Sequence, residues 1–373
     1  MADNSAIEWT DATWNPIVGC SIVSPGCTNC YAMRMADRLS AMAPKPDGTG
    51  NPHLLHYVKT ITRDPTKRGY DWSAPVWTGH VAQAPDQILL QPLRWRKPKR
   101  IFVNSMGDLF HESVPDEWID KVFAVMAQCP QHTFQVLTKR AERMRAYFAN
   151  EDRKYQIELV MADIGGDYDA RTIPNADWPL PNVWLGVSAE RQQEADERIP
   201  HLLQTPAAIR FVSAEPLLGP LDLFNGDPDP RLGGHKAMHT FLGDWWEPGD
   251  DPKGPSRHGL DWVIAGGESG PHARAAHPDW FRSLRDQCDV ADVPFFFKQW
   301  GEYHPSDQHD DKGCKQETPD AIHVDGRREY RPFEQFKLIG GRVPGWAGMC
   351  RVGKKSAGRL LDGKEHNAFP GAQ

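Results

Sequence analysis

The chain has 373 residues, a formal net charge of −7, 14 tryptophans and seven cysteines. That length supports one large domain or two smaller ones with an ample core. The acidic balance argues against a globally basic nucleic-acid binder. No run approaches the ~18 apolar residues of a membrane span, and the opening MADNSAIEWTD has no signal-peptide pattern.

Ile7 to Val18 is rich in aromatic and β-branched residues and predicts a first strand. It leads into WNPIVGCSIVSPGCTNCYA, where Cys20, Cys27 and Cys30 fall within one Pro/Gly-rich loop that ends at an amphipathic helix from Tyr31 to about Pro44. A turn-rich loop that carries three thiols to a helix N-terminus suits a metal centre, because loop amides and the helix dipole favour negative charge. Structural zinc would need a fourth Cys or His from elsewhere, since the nearest histidine is His53. A 4Fe–4S cluster held by three thiolates would leave one iron open to a small molecule. Three buried cysteines without metal are the bland alternative. Cysteines that are odd in number and clustered argue against a disulfide framework and fit a reducing cytosol, so a cytoplasmic protein is expected.

Residues 41–100 read as a basic insertion. Within 59–100, nine Lys/Arg stand against three Asp, interleaved with Tyr70, Trp72, Trp77 and Trp95 and closing in RWRKPKR. This composition either tracks a phosphate backbone and stacks bases or is a solvated excursion whose aromatics pack inward.

An alternation of strands and helices follows. Strands are predicted at 100–108, 133–140, 182–190, 208–216, 260–269 and 293–301. Helices are predicted at 115–129, 141–149, 191–204 (interrupted by Pro200) and 278–291, with an irregular insertion at 151–181 that has room for another short helix and an acidic, Pro/Gly-rich loop at 221–259. Strands apolar on both faces that alternate with helices imply parallel βαβ units. Six or seven of them predict an α/β fold, a complete or partial (β/α) TIM-like barrel spanning 1–301, with 302–373 as a C-terminal extension. The absence of a GxGxxG loop disfavours a dinucleotide fold.

In such a barrel the reactive groups project from the C-terminal ends of strands. Those tails supply Asn104, Ser105 and Asp108; Thr138 and Lys139; Ser188 and Glu190; Ser213 and Glu215; Gly266, Gly267 and Glu268; and Lys298. Small residues that leave room beside acids, amides and lysines suit an amino-acid-bearing cofactor better than magnesium. We therefore expect Asn104, Ser105, Asp108, Thr138, Lys139, Ser188, Glu190, Ser213, Gly266 and Gly267 to contact cofactor, with Glu215, Glu268 and Lys298 nearer the chemistry. The alternative is that each tail caps its own helix or makes a local ion pair. The last segment, from 341 to 370, holds Gly353-Lys354-Lys355, short of a full phosphate loop. Cys314 or Cys350 could complete a four-cysteine site.

The cysteine loop, with Cys-x-x-Cys followed by Tyr-Ala, resembles that of radical S-adenosylmethionine (SAM) enzymes, although their usual first gap of three residues is six here. The longer string EWTDATWNPIVGCSIVSPGCTNCYA, with VNSMGDLFH, VLTKRAERM, VWLGVSAE, FVSAEPLLGPL, IAGGESG, FFFKQWG and GRLLDGKEHNAFP, is similar to a phage-associated, uncharacterised family of radical-SAM-like proteins. The resemblance covers nearly the whole chain. Because it resumes in the segment from 341 to 370, it implies that this segment folds over the barrel mouth. It implies a barrel of the radical SAM type, a 4Fe–4S cluster on Cys20, Cys27 and Cys30, SAM on the open iron, and a flavodoxin- or ferredoxin-like reductant. Gly-Gly-Glu, which contacts the SAM amino group at the second strand of that larger class, ends the sixth predicted strand here. The amino-group contact is therefore expected at Asn104–Asp108, with Glu268 across the mouth. A nucleic acid or nucleotide is the first substrate class to consider. A non-enzymatic, zinc-stabilised nucleic-acid-binding protein is the alternative.

Overall fold

The computed structural model describes residues 5, 7–63, 74–165, 172–224, 241–242, 244–245, 257–306, 320–330 and 344–371. Seven short strands form one sheet in sequential order. They are β1 (Ala12–Trp14), β2 (Arg100–Val103), β3 (Thr133–Thr138), β4 (Val183–Ser188), β5 (Ile209–Ala214), β6 (Trp262–Gly266) and β7 (Phe295–Gln299). The pairs β1–β2, β2–β3, β3–β4, β5–β6 and β6–β7 are all parallel. Between them run α1 (Tyr31–Ala41), α2 (Asp116–Ala127), α3 (Ala141–Phe148), α4 (Arg153–Gly165), α5 (Gln192–Leu203) and α6 (Pro278–Ala291). Sequential parallel strands with helical crossovers are the winding of a (β/α) barrel. Here it is the partial form, with β1 and β7 at opposite ends of the strand order. Among the described residues no helix is long and apolar enough to cross a membrane.

The chain divides into two compact units, Met1–Val187 with Gln204–Ile209, and Ser188–Leu203 with Arg210–Gln373. The extension expected from residue 302 thus belongs to the same unit as β6 and β7.

In the first unit, α2 starts behind Pro115 with Asp116 and Glu117 in its first turn, where carboxylates complement the helix dipole. It buries Ile119, Val122, Phe123, Val125 and Met126. The stretch expected to be irregular holds the thirteen-residue α4, which buries Ile157, Met161 and Ala162. Arg153 anchors it, donating to Asp120 at 2.9 Å and lying 3.9 Å over the Tyr147 ring. A second, smaller core of Val18, Ala32, Met33, Ala36, Tyr57, Val76, Trp77 and Met106 packs beneath Cys20 and Cys30. Trp77 is therefore a core residue, as the packing reading of the basic segment requires. Tyr70 and Trp72 lie outside the described residues.

In the second unit, α5 runs through Pro200 without a break. A proline inside a helix costs about 3 kcal/mol, which the burial of Ala195, Ile199, Leu202 and Leu203 offsets. Helix α6 begins with His277 accepting from the Asp279 N–H and with Pro278 in its first turn. It ends at Asp292 in the left-handed region, φ 55°. Strands β8 (Tyr303–Pro305), β9 (Asp320–His323), β10 (Arg328–Tyr330) and β11 (Trp346–Arg351) form an antiparallel sheet in the order β8-β11-β9-β10. The C-terminal segment does two things. Gly358 and Leu360 accept from the backbone and indole N–H of Trp300, beside the strand tails. Residues 366–368 then run along β7, and Phe369 packs on Trp262 and Phe296 near the opposite ends of the strands. Only the first part meets the expectation of a segment at the strand tails. Cys350, buried in β11, is disulfide-bonded, contrary to the expectation of free thiols throughout, and this removes it as a fourth ligand. Cys314 lies outside the described residues.

Candidate metal centre

The cysteine loop is built onto the tail of β2. Gly19 donates to Met106 O at 3.1 Å and pairs in parallel with Gly107. A Cβ on Gly107 would stand 3.0 Å from both Gly19 O and Ile17 O, so the close approach of the two backbones leaves no room for a side chain. Asn104, at φ 59°, donates its backbone N–H to Trp14 O and accepts from Ile17 N through Oδ1. Its side-chain Nδ2 is buried with no hydrogen-bond partner among the described residues. Asn15 Oδ1 accepts from Ser105 Oγ and from the Met106 N–H, while Tyr31 donates its hydroxyl to Ser105 O. Asn104 and Ser105 thus fix the loop, and one amide donor is left over.

Cys20, Cys27 and Cys30 are all free thiols, Cys27 buried and the other two half-buried. Cys30 is the N-cap of α1. Arg140 Nη1 stands 3.6 Å from Cys20 Sγ, and the same nitrogen donates to Asp108 Oδ2 at 2.9 Å. Its Nη2 donates to Ser21 Oγ at 2.8 Å, and Nε reaches Glu112 at 3.1 Å. Ser21 Oγ also meets His111 Nε2 at 3.0 Å. Asp108 is the keystone of this network. Oδ1 accepts from the Thr138 hydroxyl and the Phe110 N–H, Oδ2 from the Lys139 N–H and Arg140.

The electrostatics follow from that arrangement. Burial pushes the Cys20 thiol up to about 12, against the opposing pull of Arg140. Burial likewise raises Cys30, with the Lys139 ammonium among the groups that pull it down. Burial would lower Arg140, but Asp108, the Cys20 sulfur and Glu112 together hold its pKa above the usual range. Burial and Arg140 both lower His111, so its imidazole is neutral at pH 7. One cation, Arg140, therefore stands at the sulfur of Cys20, and the charge of Lys139 is felt only weakly at Cys30. Thiolates in a half-buried loop need such compensation.

The remaining predicted residues lie in the second unit. Glu190 is fully buried and bonded to Arg198, whose Nη1 also donates to Ser188 O. Ser213 is buried in β5 opposite Ile264. Lys298 Nζ donates to both Glu215 oxygens, at 2.7 and 2.9 Å, and Gly266 lies beside this pair. A Cβ on Gly267 would overlap Trp300 O, at 1.9 Å. Glu268 is clasped by Arg274, through Nη2 at 2.6 Å and through Nε and the backbone N–H at 2.7 Å each.

Two of the six tails thus gather at the cysteine loop, and four lie in the other unit. Arg140, Ser21, His111, Glu112 and Asn15 complete the network; of these the sequence points only to Arg140, by its place in the strand tail Thr138-Lys139-Arg140. Among the described residues no group of three or more His, Cys, Asp or Glu side chains could hold a single metal ion. The donor set does suit a thiolate-held cluster: three free thiols from one loop, a cation beside one of them, and an orphaned amide donor on the adjoining strand tail.

Fold and site together define an α/β protein with a seven-stranded parallel sheet and a three-cysteine loop fastened to the second strand of that sheet. The chain belongs to a family described as "Protein of unknown function (DUF5131)", whose model matches residues 4–370. Neither the curated proteins nor the solved structures give a significant match.

Proposed function

We propose that the protein is an iron–sulfur, SAM-dependent radical enzyme, its sheet a partial barrel of the radical SAM type. Cys20, Cys27 and Cys30 would hold a 4Fe–4S cluster. One observation carries the reading: three free thiols belong to a single loop with Arg140 beside Cys20, and Cys350 is withdrawn into a disulfide. A cluster held there would supply one-electron reduction of bound SAM and with it radical chemistry on a substrate. The chain's own residues do the rest. Arg140 balances thiolate charge, Asp108 holds Arg140 in place, and Asn104 Nδ2, which has no partner among the described residues, is the donor nearest in kind to the cofactor's carboxylate. In the other unit, the half-buried Glu215–Lys298 pair beside Gly266 is the candidate for handling substrate protons. A nucleic acid or nucleotide remains the first substrate class, resting on the basic segment at 59–100 and on the family resemblance.

Anaerobic reconstitution followed by iron and sulfide analysis, and by assay for 5′-deoxyadenosine with dithionite and SAM, tests the reading. Wild-type protein should give about four irons per chain and 5′-deoxyadenosine. Cys20→Ala should abolish both. Normal iron and SAM cleavage in that variant, or a colourless zinc protein from the wild type, would refute the proposal.

A further inference from the structure

The basic segment supplies one aromatic that the core does not absorb. Trp77 is buried, whereas Trp95 is half-buried and lines a cleft of about 410 Å³ with His53, Gln87, Ile88, Gln91 and Arg94. That volume lies within the range of small-molecule sites, about 300–1,000 Å³. Three short elements of the first unit contribute to it: the turn Pro52–Tyr57, the helix Asp86–Leu89 and the turn Pro92–Arg94. Its walls are fastened to the sheet and to each other. Trp14 of β1 donates its indole N–H to Ile88 O at 2.9 Å, and Gln131, two residues before β3, donates through Nε2 to Trp95 O at 3.4 Å. Arg94 donates through Nη2 to Gln87 O.

Three features of the cleft describe its ligand. The first is a flat apolar surface. Lys99 Nζ stands 5.3 Å from the centre of the Trp95 ring and His132 meets that ring edge-on at 6.0 Å, but neither lines the cleft. The part of the indole that does is therefore left uncovered by them. The second is an unmet acceptor. Gln91 Oε1 is buried and has no hydrogen-bond partner among the described residues, a costly state unless a donor reaches it. The third is the sign of the charge. No carboxylate lines the cleft, not even that of Asp86 at the start of the short helix, in a chain whose net charge is −7. Arg94 is in the wall and Lys99 lies over the indole, while Arg96 and Lys97, next to Trp95, are exposed and have no acidic partner among the described residues. A planar ring with N–H donors on its edge and a negative charge attached answers all three. A nucleobase with its phosphate is such a group: its face stacks on an indole whatever the base, and cations hold its backbone. A duplex hides the faces of its bases, so the strand that fits is single.

The geometry points to this cleft as the anchoring site for one unpaired base of a single-stranded nucleic acid. The base stacks on Trp95 with its N–H edge at Gln91, and the adjoining phosphates meet Arg94 and Lys99. The inference deepens the function proposed above and rests on that reading for the class of substrate alone. The cleft is apart from the sulfur loop, since Trp95 precedes β2 whereas the loop is fastened to the tail of that strand. It therefore holds the strand, and no bond is made or broken there.

The test is fluorescence anisotropy of a short labelled single-stranded DNA with the full chain, free of iron, in the wild type and in Trp95→Ala, Gln91→Leu and Arg94→Gln/Lys99→Gln. Unlabelled single-stranded RNA, duplex DNA and mononucleotides serve as competitors. Wild-type protein should bind the single strand, and both kinds of single strand should compete. Trp95→Ala should weaken binding about tenfold. Gln91→Leu should weaken it severalfold at an unchanged melting temperature, because its Oε1 makes no bond in the fold. Arg94→Gln/Lys99→Gln should also flatten the slope of log affinity against log salt by about 1.4, the value for two phosphate contacts on a single strand. Lys354→Gln/Lys355→Gln, on exposed residues of the other unit, should bind as the wild type does. Wild-type affinity in both Trp95→Ala and Gln91→Leu, or tighter binding of the duplex, would overturn the site. Mononucleotides that compete as well as the strand would overturn the strand as its occupant. No binding by the wild type would overturn the site and leave the cluster reading in place, since iron plays no part in the assay.

Discussion

The charged groups at the strand tails of the two units are handled in different ways. In the first unit Asp108 and Arg140 are buried and tied to each other, to Thr138, Ser21 and Glu112, and through Arg140 to Cys20. In the second, Lys298 and Glu215 stay partly accessible and are bound to each other beside a glycine, whereas Glu190 and Glu268 are locked by arginines of their own following segments. A buried, multiply bonded charge specifies a position. A half-buried pair that is bonded only to itself among the described residues can change partners more readily when a ligand arrives. On the function proposed above, the metal loop would belong to the first unit and any chemistry on a substrate at this pair to the second.

Removing Arg140 is the strongest way to break that contrast. Arg140→Ala leaves the Asp108 carboxylate buried without its cation, and losing one partner of such a pair costs about 3–5 kcal/mol. Chemical denaturation should register this cost, and reconstituted iron should fall with it. Arg140→Lys should recover stability in part but not the contacts to Ser21 and Glu112, because an ammonium cannot reproduce the guanidinium fork. Unchanged stability in the alanine variant would mean that the network is decorative.

Lys298→Met sharpens the comparison from the other side. Its expected cost is about 1–2 kcal/mol, since the pair is partly open to water. Iron content should stay at the wild-type value while turnover falls. Loss of iron in this variant would show that the division of labour between the units is wrong.

A smaller effect is set by acid. His56, whose pKa burial lowers to about 4, and His132 and His277, which burial also lowers, are all held neutral in the folded chain. The unfolded chain takes up their protons first, near pH 6.5. Stability conferred by these groups is therefore complete above about pH 6.5 and declines as the pH falls toward 4. Thermal melting at pH 7.5 and pH 5 should show the lower midpoint at pH 5, and a flat profile would contradict it.

The strand and helix alternation was legible because each buried strand is an apolar run and helices such as α2 and α6 keep a helical spacing of large residues. The bounds and length of helix α4, for which the insertion left room, were not, because only Ile157, Met161 and Ala162 mark its buried side and its anchor is a cation, Arg153. Pro200 suggested a break that the burial around it overrides. At the candidate site the three cysteines were visible as neighbours in sequence. The tie of Arg140 to Ser21, 119 residues apart, was not, because no local pattern links them. The ties of Glu190 to Arg198 and Glu268 to Arg274 span only eight and six residues. They favour the local ion-pair reading of those two tails over a direct cofactor contact.

The seam between Gly19 and Gly107 has a practical corollary for handling the protein. Because backbone bonds, Asn15 and an apolar bed already hold the sulfur-bearing turn, its shape does not wait for a metal, unlike the small domains that collapse when chelated. Material stripped of inorganic content should keep its melting cooperativity and its secondary-structure spectrum, and should accept iron and sulfide afterwards without refolding.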